Sequence, residues 1–144
     1  MTADQGTLEA GTPAESVLES PTAQRFVTAL RTLEQDGDLD DMVALSTNAT
    51  RWWSVGPDGG STGPDGARTF WERYRRAFAE IASEFSTVTE TSGRVLLEWT
   101  SHGSHHNGGP VRYAGATVLE LDGEDLAAVR LYYDTAATMV RAQG

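Results

Sequence analysis

The sequence predicts an α+β domain with an antiparallel sheet. Helix-type apolar spacing dominates the first half of the chain, while the second half alternates apolar and polar residues between short turns, without an internal repeat. Helices followed by an uninterrupted run of strands are typical of α+β folds, because strands joined by tight turns pair antiparallel. A chain of 144 residues is long enough for one such domain with a sizeable core.

Residues 1–19 are predicted to form a disordered or loosely attached tail. They mix Thr, Ala, Gly, Glu and Pro with few large apolar side chains, so they bury too little surface to fix a conformation. Val17 and Leu18 are the apolar pair that could dock onto the body. The remaining residues, 20–144, are assigned to a single domain.

Two helices are predicted at the start of this domain. The first begins at Ser20-Pro21, since Ser is a good N-cap and Pro suits the first helical position. Its apolar residues recur at helical spacing, and Gly37 ends it. A second, short helix follows over residues 38–47 with Asp38 as its cap, where acidic residues favour the positive end of the helix dipole.

A strand, a loop and the clearest helix come next. Residues 49–55 are rich in aromatic and β-branched residues, which favours a strand, and residues 56–66 are rich in Gly, Pro and Asp, which favours a loop. Asp65 is the expected cap of the third helix. Its apolar face comprises Phe70, Trp71, Tyr74, Ala77, Phe78 and Ile81.

Four strands in a meander complete the prediction. The turns between them are Ser92-Gly93, the segment 106–110 and the segment 122–124, each rich in turn-forming residues. The predicted strands are 85–91, 94–103, 111–121 and 126–134.

The charge balance is strongly acidic. The 21 Asp and Glu residues outnumber 11 basic residues, all of them Arg, so the formal net charge is -10. Such a chain repels phosphate groups, and neither nucleic acid nor an anionic membrane is an expected partner. The chain contains no Cys, which excludes disulfides, thiol catalysis and Cys-ligated zinc. No apolar run reaches the ~18–20 residues of a membrane span, and no secretory signal is recognised at the start, so a cytoplasmic address is expected.

Four phrases, in this order and spacing, resemble the nuclear transport factor 2-like superfamily, and within it the SnoaL-like polyketide cyclase branch. They are GDLDDMVAL, ATRWWSVG, GPDGARTFWERY and LDGEDLAAVRLYYD. The resemblance implies three helices packed on a curved antiparallel sheet that forms a cone with an internal apolar pocket. It also implies a homodimer through the outer face of the sheet. The superfamily includes cyclases, isomerases, epoxide hydrolases and noncatalytic binding proteins, so the fold does not define the reaction.

The sequence departs from two carboxylate sites of that superfamily. The resemblance matches Trp53 to the first-strand base of ketosteroid isomerases. It matches three further positions to the Asp–Arg–Asp set of limonene-epoxide-hydrolase-like enzymes, namely Trp99, Ser101 and Leu131. Aromatic and aliphatic side chains cannot abstract a proton, so both mechanisms are disfavoured in their usual form. We therefore expect a wide, aromatic pocket, poor in buried charge, that suits a large, flat or polyene-like substrate.

Strand alternation and the resemblance together predict which residues line the pocket. Side chains of a strand point alternately to its two faces, and the more apolar set is taken as the inner one. The resemblance adds two residues of the first strand, and the third helix contributes aromatic residues. The expected substrate-binding residues are Trp53, Val55, Trp71, Tyr74, Phe78, Trp99, Ser101, Tyr113 and Leu131.

Two His residues near the predicted rim are candidate acid–base groups. His exchanges protons near neutral pH, and His102 and His105 lie in the segment SHGSHHN. Alternation turns His105 inward and His102 outward, and the alternative for both is a solvated hairpin end. Because His105 and His106 are adjacent, they would point to opposite faces, so no metal site is expected. No cofactor is expected either.

Tyr133 and Asp134 close the last predicted strand. The Tyr133 phenol faces inward by alternation and could donate a hydrogen bond to a carbonyl or epoxide oxygen. SnoaL-like proteins carry a carboxylate near the chain end, which makes Asp134 a candidate base. The alternatives are aromatic core packing for Tyr133 and a turn-capping role for Asp134, which alternation places outside.

The sequence thus favours a cofactor-independent cyclase of specialised, polyketide-type metabolism, such as antibiotic biosynthesis. It would bind a hydrophobic small molecule and promote ring closure by holding reacting groups together. Two alternatives remain open. One is a noncatalytic carrier of hydrophobic ligands, and the other is an epoxide hydrolase or isomerase with relocated catalytic groups.

Overall fold

The computed structural model describes residues 12–55 and 60–138, in which three α-helices pack on a six-stranded, curved, unclosed sheet. The helices are α1 (Pro21–Asp36), α2 (Asp40–Ala44) and α3 (Gly63–Arg76). The strands are β1 (Arg51–Ser54), β2 (Gly60–Thr62), β3 (Glu80–Thr91), β4 (Arg94–Ser104), β5 (Pro110–Asp122) and β6 (Asp125–Tyr133). Short 3₁₀ helices lie at Ala14–Val17 and Thr135–Thr138.

The sheet is mixed, with the order β2-β1-β6-β5-β4-β3. The predicted antiparallel meander of β3 to β6 is confirmed. The prediction of a wholly antiparallel sheet is wrong at one pair, because β1 lies parallel to β6. A parallel pair needs a long crossover. Here the chain passes through β2, α3, β3, β4 and β5 before β6 returns beside β1.

The first helix has the predicted ends. Pro21 is its first residue, and Ser20 caps it by accepting a hydrogen bond from the Ala23 N–H at 3.1 Å. Gly37 ends it in the left-handed conformation, with φ of 74°, which glycine adopts without steric cost. The second helix is shorter than predicted, and the Asp38 carboxylate accepts from the Asp40 N–H at 2.9 Å.

The third helix is displaced from its predicted range. It begins at Gly63, so Asp65 lies in its first turn rather than capping it, and residues 60–62 of the predicted loop form β2. It ends at Arg76, and Ile81 belongs to β3 instead. An apolar residue at this distance satisfies both a helical and a strand period, so spacing alone extended the helix too far. Residues 56–59 of the predicted loop lie outside the described residues.

Part of the predicted tail packs on the sheet, beginning with the 3₁₀ helix Ala14–Val17. Leu18 is buried, and the Glu90 carboxylate accepts hydrogen bonds from the backbone N–H groups of Glu19 and Ser20, at 2.8 and 3.0 Å. Glu15 forms an ion pair with Arg31 of α1. These contacts attach the segment to both β3 and α1. The rest of the predicted tail, residues 1–11, lies outside the described residues.

The core lies between the helices and the concave face of the sheet. Trp71 of α3 is its centre, since its ring contacts Phe26, Trp52 and Tyr74 at centroid distances of 6.0, 6.1 and 5.4 Å. Edge-to-face contacts of this kind add to the stabilisation that burial itself provides. Among the described residues, no helix combines the length and apolar character that a membrane crossing requires.

Candidate functional site

A narrow cavity lies between α1, α3 and the concave face of the sheet. Its walls are formed by Phe26, Leu30, Trp71, Tyr74, Ser83, Trp99, Ser101, Thr117 and Leu131. The cavity volume is about 10 Å³, which is close to the room that one water needs. The expectation of a wide pocket is therefore wrong for this conformation, because aromatic rings fill most of the cone.

A buried carboxylate lies beside this cavity. Glu34, near the end of α1, is only 6% exposed. Its Oε2 accepts hydrogen bonds from the Tyr74 hydroxyl and the Ser83 hydroxyl, both at 2.7 Å, and its Oε1 accepts from the Ser83 N–H at 2.9 Å. Three donors and no acceptor face these oxygens. A carboxylate that has no paired cation requires such hydrogen-bond donors.

A row of hydroxyl groups runs across the sheet from this carboxylate. Ser83, Ser101 and Tyr113 are direct cross-strand neighbours on β3, β4 and β5. The two Ser oxygens are 2.6 Å apart, and the Tyr113 hydroxyl interacts with that of Ser101. Since the one proton of Ser83 is donated to Glu34, the proton between the serines must come from Ser101. The row is therefore polarised towards Glu34.

The phenols of Tyr74 and Tyr113 are both held in the protonated form. Burial raises the pKa of Tyr74 well above its usual value, and the charge of Glu34 raises it further. Burial also raises the pKa of Tyr113, with smaller contributions from Tyr133 and Glu34. Removing a proton from either phenol would create a charge in an apolar site that already contains one. Tyr74 and Tyr113 are therefore hydrogen-bond donors at neutral pH.

These raised pKa values predict a loss of stability at alkaline pH. Below the unfolded pKa of 10.0, both phenols are protonated in the folded and in the unfolded chain, and their full contribution to stability is present. As the pH rises above 10.0 towards the higher pKa of the folded chain, the unfolded chain loses these protons first, and the contribution to stability is lost. We expect the free energy of unfolding, measured in urea, to fall between pH 9 and pH 11.5, with a shallower fall in Tyr74→Phe. Equal slopes in the two proteins would contradict this prediction.

The comparisons with known proteins agree with this architecture. The family model of the SnoaL-like domain matches residues 23–130. The chain belongs to the SnoaL-like domain family. Its fold is that of the nuclear transport factor 2-like superfamily, as the sequence resemblance implied. No curated protein matches the chain significantly.

Three solved structures illustrate how far this fold extends. An NTF2-like protein from Anabaena variabilis has a TM-score of 0.73 at 17% identity, covering 81% of this chain and 90% of that one. A protein described as a SnoaL-like polyketide cyclase from Jannaschia sp. has a TM-score of 0.66 at 16% identity, covering 83% and 92%. An LEH-like epoxide hydrolase from M. tuberculosis has a TM-score of 0.64 at 21% identity, covering 84% and 89%. At these identities the likeness shows the fold alone.

The SnoaL-like domain brings together most of the residues predicted to bind substrate. Those on the cavity wall are Trp71, Tyr74, Trp99, Ser101 and Leu131. Phe78 and Tyr113 lie directly behind the wall, where Phe78 contacts the Tyr74 ring at 5.9 Å and Tyr113 contacts the Trp99 ring at 5.4 Å. Whether these residues bind substrate stays a prediction.

Two residues predicted inside the SnoaL-like cone are not on its cavity wall. Trp53 lies on the outer face of the sheet, where its ring contacts Tyr132 at 5.3 Å, and the neighbouring Trp52 points inward and is fully buried. Adjacent strand residues face opposite sides, so the choice between two consecutive Trp residues decides the whole face of β1. Val55 follows β1, is partly exposed and donates its N–H to the Leu131 carbonyl at 3.2 Å.

The four predicted catalytic residues lie in different surroundings. His102 is on the outer face, next to Arg112 and Glu84, and Asp134 is exposed and accepts a hydrogen bond from the Ala136 N–H. The outward orientation that alternation gave both residues is confirmed, and neither reaches the cavity wall. His105 is buried against Phe78, and Tyr133 is partly exposed with its ring 5.6 Å from that of Tyr113. Their catalytic roles stay predictions.

Sequence reasoning missed Glu34 and Ser83, although both left a signal. Glu34 lies four residues after Leu30 and seven after Val27, so the helical period places it on the apolar face of α1. A charged residue on such a face is a candidate for a buried group. Ser83 was hidden because β3 was predicted to begin at Phe85, and extending the alternation back to Glu80 turns Ser83 inward.

Within the described residues, no cluster of three or more His, Asp or Glu side chains is arranged to hold a metal ion. Glu34 and the adjoining hydroxyl groups can together accept a proton, hold it away from water and return it.

Proposed function

We propose that this protein is a small-molecule cyclase of polyketide-type metabolism that promotes ring closure by moving a proton along the row of hydroxyl groups to Glu34. The observation that supports this is the buried Glu34 carboxylate, joined to the cavity wall through the hydroxyls of Ser83 and Ser101. A carboxylate and a hydroxyl relay in a site shielded from water are suited to general acid–base catalysis. The proposal needs no cofactor.

Each proton has a defined path in this proposal. A proton from an activated C–H or O–H group of the substrate passes to Ser101 Oγ, the Ser101 proton passes to Ser83 Oγ, and the Ser83 proton passes to Oε2 of Glu34. The substrate becomes an enolate, and Glu34 becomes a neutral acid. The enolate carbon then attacks a carbonyl carbon of the same molecule, and the resulting alkoxide recovers the proton along the same path. The net reaction is an isomerisation.

Substrate binding requires the cavity wall to open. The space of about 10 Å³ is far smaller than the ~300–1,000 Å³ of ordinary ligand pockets. Aromatic side chains of the wall must therefore rotate when a polyketide-sized molecule enters. Since Trp71 and Trp99 are part of that wall, ligand entry is expected to change the intrinsic Trp fluorescence.

A noncatalytic binding protein is the second candidate. It is favoured by the hydrogen bonding of Glu34, whose oxygens already accept three donors in this conformation. A carboxylate held in this way can serve to fix α1 and α3 to the sheet. Ligand entry would then expand an apolar cavity without any proton transfer.

Ser101→Ala is the variant that tests the cyclase proposal. It removes the first hydroxyl of the proposed proton path while Glu34 keeps its donors. In single-turnover assays with a linear poly-β-ketone thioester mimic, we expect wild type to form the cyclic product. Loss of the relay is expected to slow this step by about 10²-fold or more. Thr100→Ala, the neighbouring hydroxyl on the opposite face of β4, is the matched control and should keep the wild-type rate.

Two results would count against the cyclase. If wild type binds the mimic, as shown by Trp fluorescence, but returns it unchanged, the binding-protein reading is correct. If Ser101→Ala cyclises the mimic as fast as Thr100→Ala, the proton does not pass through Ser101 and the proposed path is wrong.

A further inference from the structure

We infer that this cavity selects uncharged ligands that carry a carbonyl-type acceptor and a hydroxyl donor, and that Glu34 excludes carboxylates from it. The inference rests on the proposed function only in placing the ligand beside Glu34. It concerns binding, so it applies equally to a cyclase and to a noncatalytic binding protein. Charge and hydrogen-bonding capacity are the two observations that support it.

The charge of Glu34 has no cationic partner in the described part of the chain. Arg31, one turn earlier on α1, bonds the Ser83 carbonyl, pairs with Glu15 and lies 5.3 Å over the Phe85 ring. The cavity wall contains no basic side chain. A ligand carboxylate would therefore face a fixed negative charge at short range in a poorly solvated site, where repulsion is much stronger than in water.

The hydrogen-bonding capacity of the wall points to the same ligand class. The hydroxyl protons of Ser83 and Ser101 are both directed along the row towards Glu34, so Ser101 can only accept: Tyr113 can occupy one of its two lone pairs, and the other is left for a ligand. A ligand hydroxyl can donate to it. A carboxylate, which needs several donors, finds none in these two serines.

The indole N–H of Trp71 is a donor without a partner on this wall. Trp71 is 1% exposed, and within the described residues its buried indole N–H has no hydrogen-bond partner. The other Trp of the wall differs, since Trp99 Nε1 donates to Thr117 Oγ1 at 2.8 Å. A buried donor without an acceptor is costly, and a neutral carbonyl oxygen would satisfy Trp71. The Trp71 N–H and the Thr117 hydroxyl can thus donate to a neutral ligand, and Ser101 can accept from it.

A pair of matched naphthalenes tests the inference by isothermal titration calorimetry at pH 6.5. 6-Hydroxy-2-acetonaphthone is neutral and carries both groups, whereas 6-hydroxy-2-naphthoate has the same shape and a charged carboxylate. We expect the ketone to bind wild type at least tenfold more tightly. Glu34→Gln should raise the affinity for the naphthoate by about tenfold and change that for the ketone little. Trp71→Phe should weaken ketone binding about fivefold, and Trp53→Phe, on the outer face, should not.

Three results would overturn the inference. They are equal affinity of wild type for the two probes, an unchanged affinity ratio in Glu34→Gln, and no binding of either probe. The ratio in wild type and the Trp71→Phe result keep the test valid if Glu34→Gln is unstable. Because the readout is binding, this result holds even if wild type fails to cyclise the thioester mimic. Likewise, the cyclisation assay does not depend on the affinity ratio of the two naphthalenes.

Discussion

Glu34→Gln is expected to slow ring closure by about 10²–10⁴-fold with little change in the affinity for a neutral substrate. The amide oxygen can still accept the Ser83 N–H that now lies 2.9 Å from Oε1, so α1 stays attached to β3. An amide cannot take up the proton that the hydroxyl row delivers. The effect should therefore appear in kcat of the cyclisation assay, while KM stays close to the wild-type value.

Asp36→Asn is the matched control for this variant. It removes a carboxylate two residues later on the same helix, where the side chain is exposed. Urea unfolding of both variants separates stability from catalysis, since weaker hydrogen bonds at Glu34 are expected to cost about 1–3 kcal/mol. Turnover of Glu34→Gln at the rate of Asp36→Asn, in folded protein, would show that Glu34 only supports the structure.

Local chemistry made α1 and the meander predictable. A cap, a proline and a terminal glycine define the ends of α1 without reference to the rest of the chain. The turns at Ser92-Gly93 and at residues 122–124 define the pairing of β3 with β4 and of β5 with β6 in the same way. In β4 the buried residues are Val95, Leu97, Trp99 and Ser101, which is the inner set that alternation gives.

Tertiary pairing decided what the sequence left ambiguous. Trp52 and Trp53 are equally apolar, and only the pairing of β1 with β6 determines which of them faces the core. The junction between α3 and β3 was misplaced for a similar reason, because the apolar residues there fit two periods. That error concealed Ser83, and with it the link between Glu34 and the cavity.

The acidity of the chain also has a different meaning in the structure. The sequence pattern places most of the 21 carboxylates in the tail, helix starts, turns and polar faces and predicts a pocket poor in buried charge. Glu34 is the exception on which the proposed chemistry depends. Its burial is tolerated because Tyr74 and Ser83 supply its donors, and both are distant from it in sequence. Such compensation is visible only when α1, α3 and β3 have been brought together.

Gly103→Ala is expected to destabilise the fold by about 2–4 kcal/mol, the largest effect on stability among the variants proposed. A Cβ atom at Gly103 would lie 2.6 Å from the Glu80 carbonyl carbon and 2.8 Å from the Ile81 Cα. Both atoms belong to the backbone of β3, so no side-chain rotation can relieve the contact. The free energy of unfolding in urea measures the loss, with Gly93→Ala as the control, whose new Cβ meets only one atom, at 3.8 Å.

The same substitution should also reduce activity in the protein that remains folded. Gly103 lies opposite Ile81, and the Ser83–Ser101 pair follows two residues along the same ladder. Moving β3 away from β4 at Gly103 lengthens the 2.6 Å contact between the two Ser oxygens, on which proton transfer to Glu34 depends. If Gly103→Ala were as stable as Gly93→Ala, this result would show that β3 can shift away from β4 without cost. The close pairing of β3 and β4 would then not hold the hydroxyl row in place.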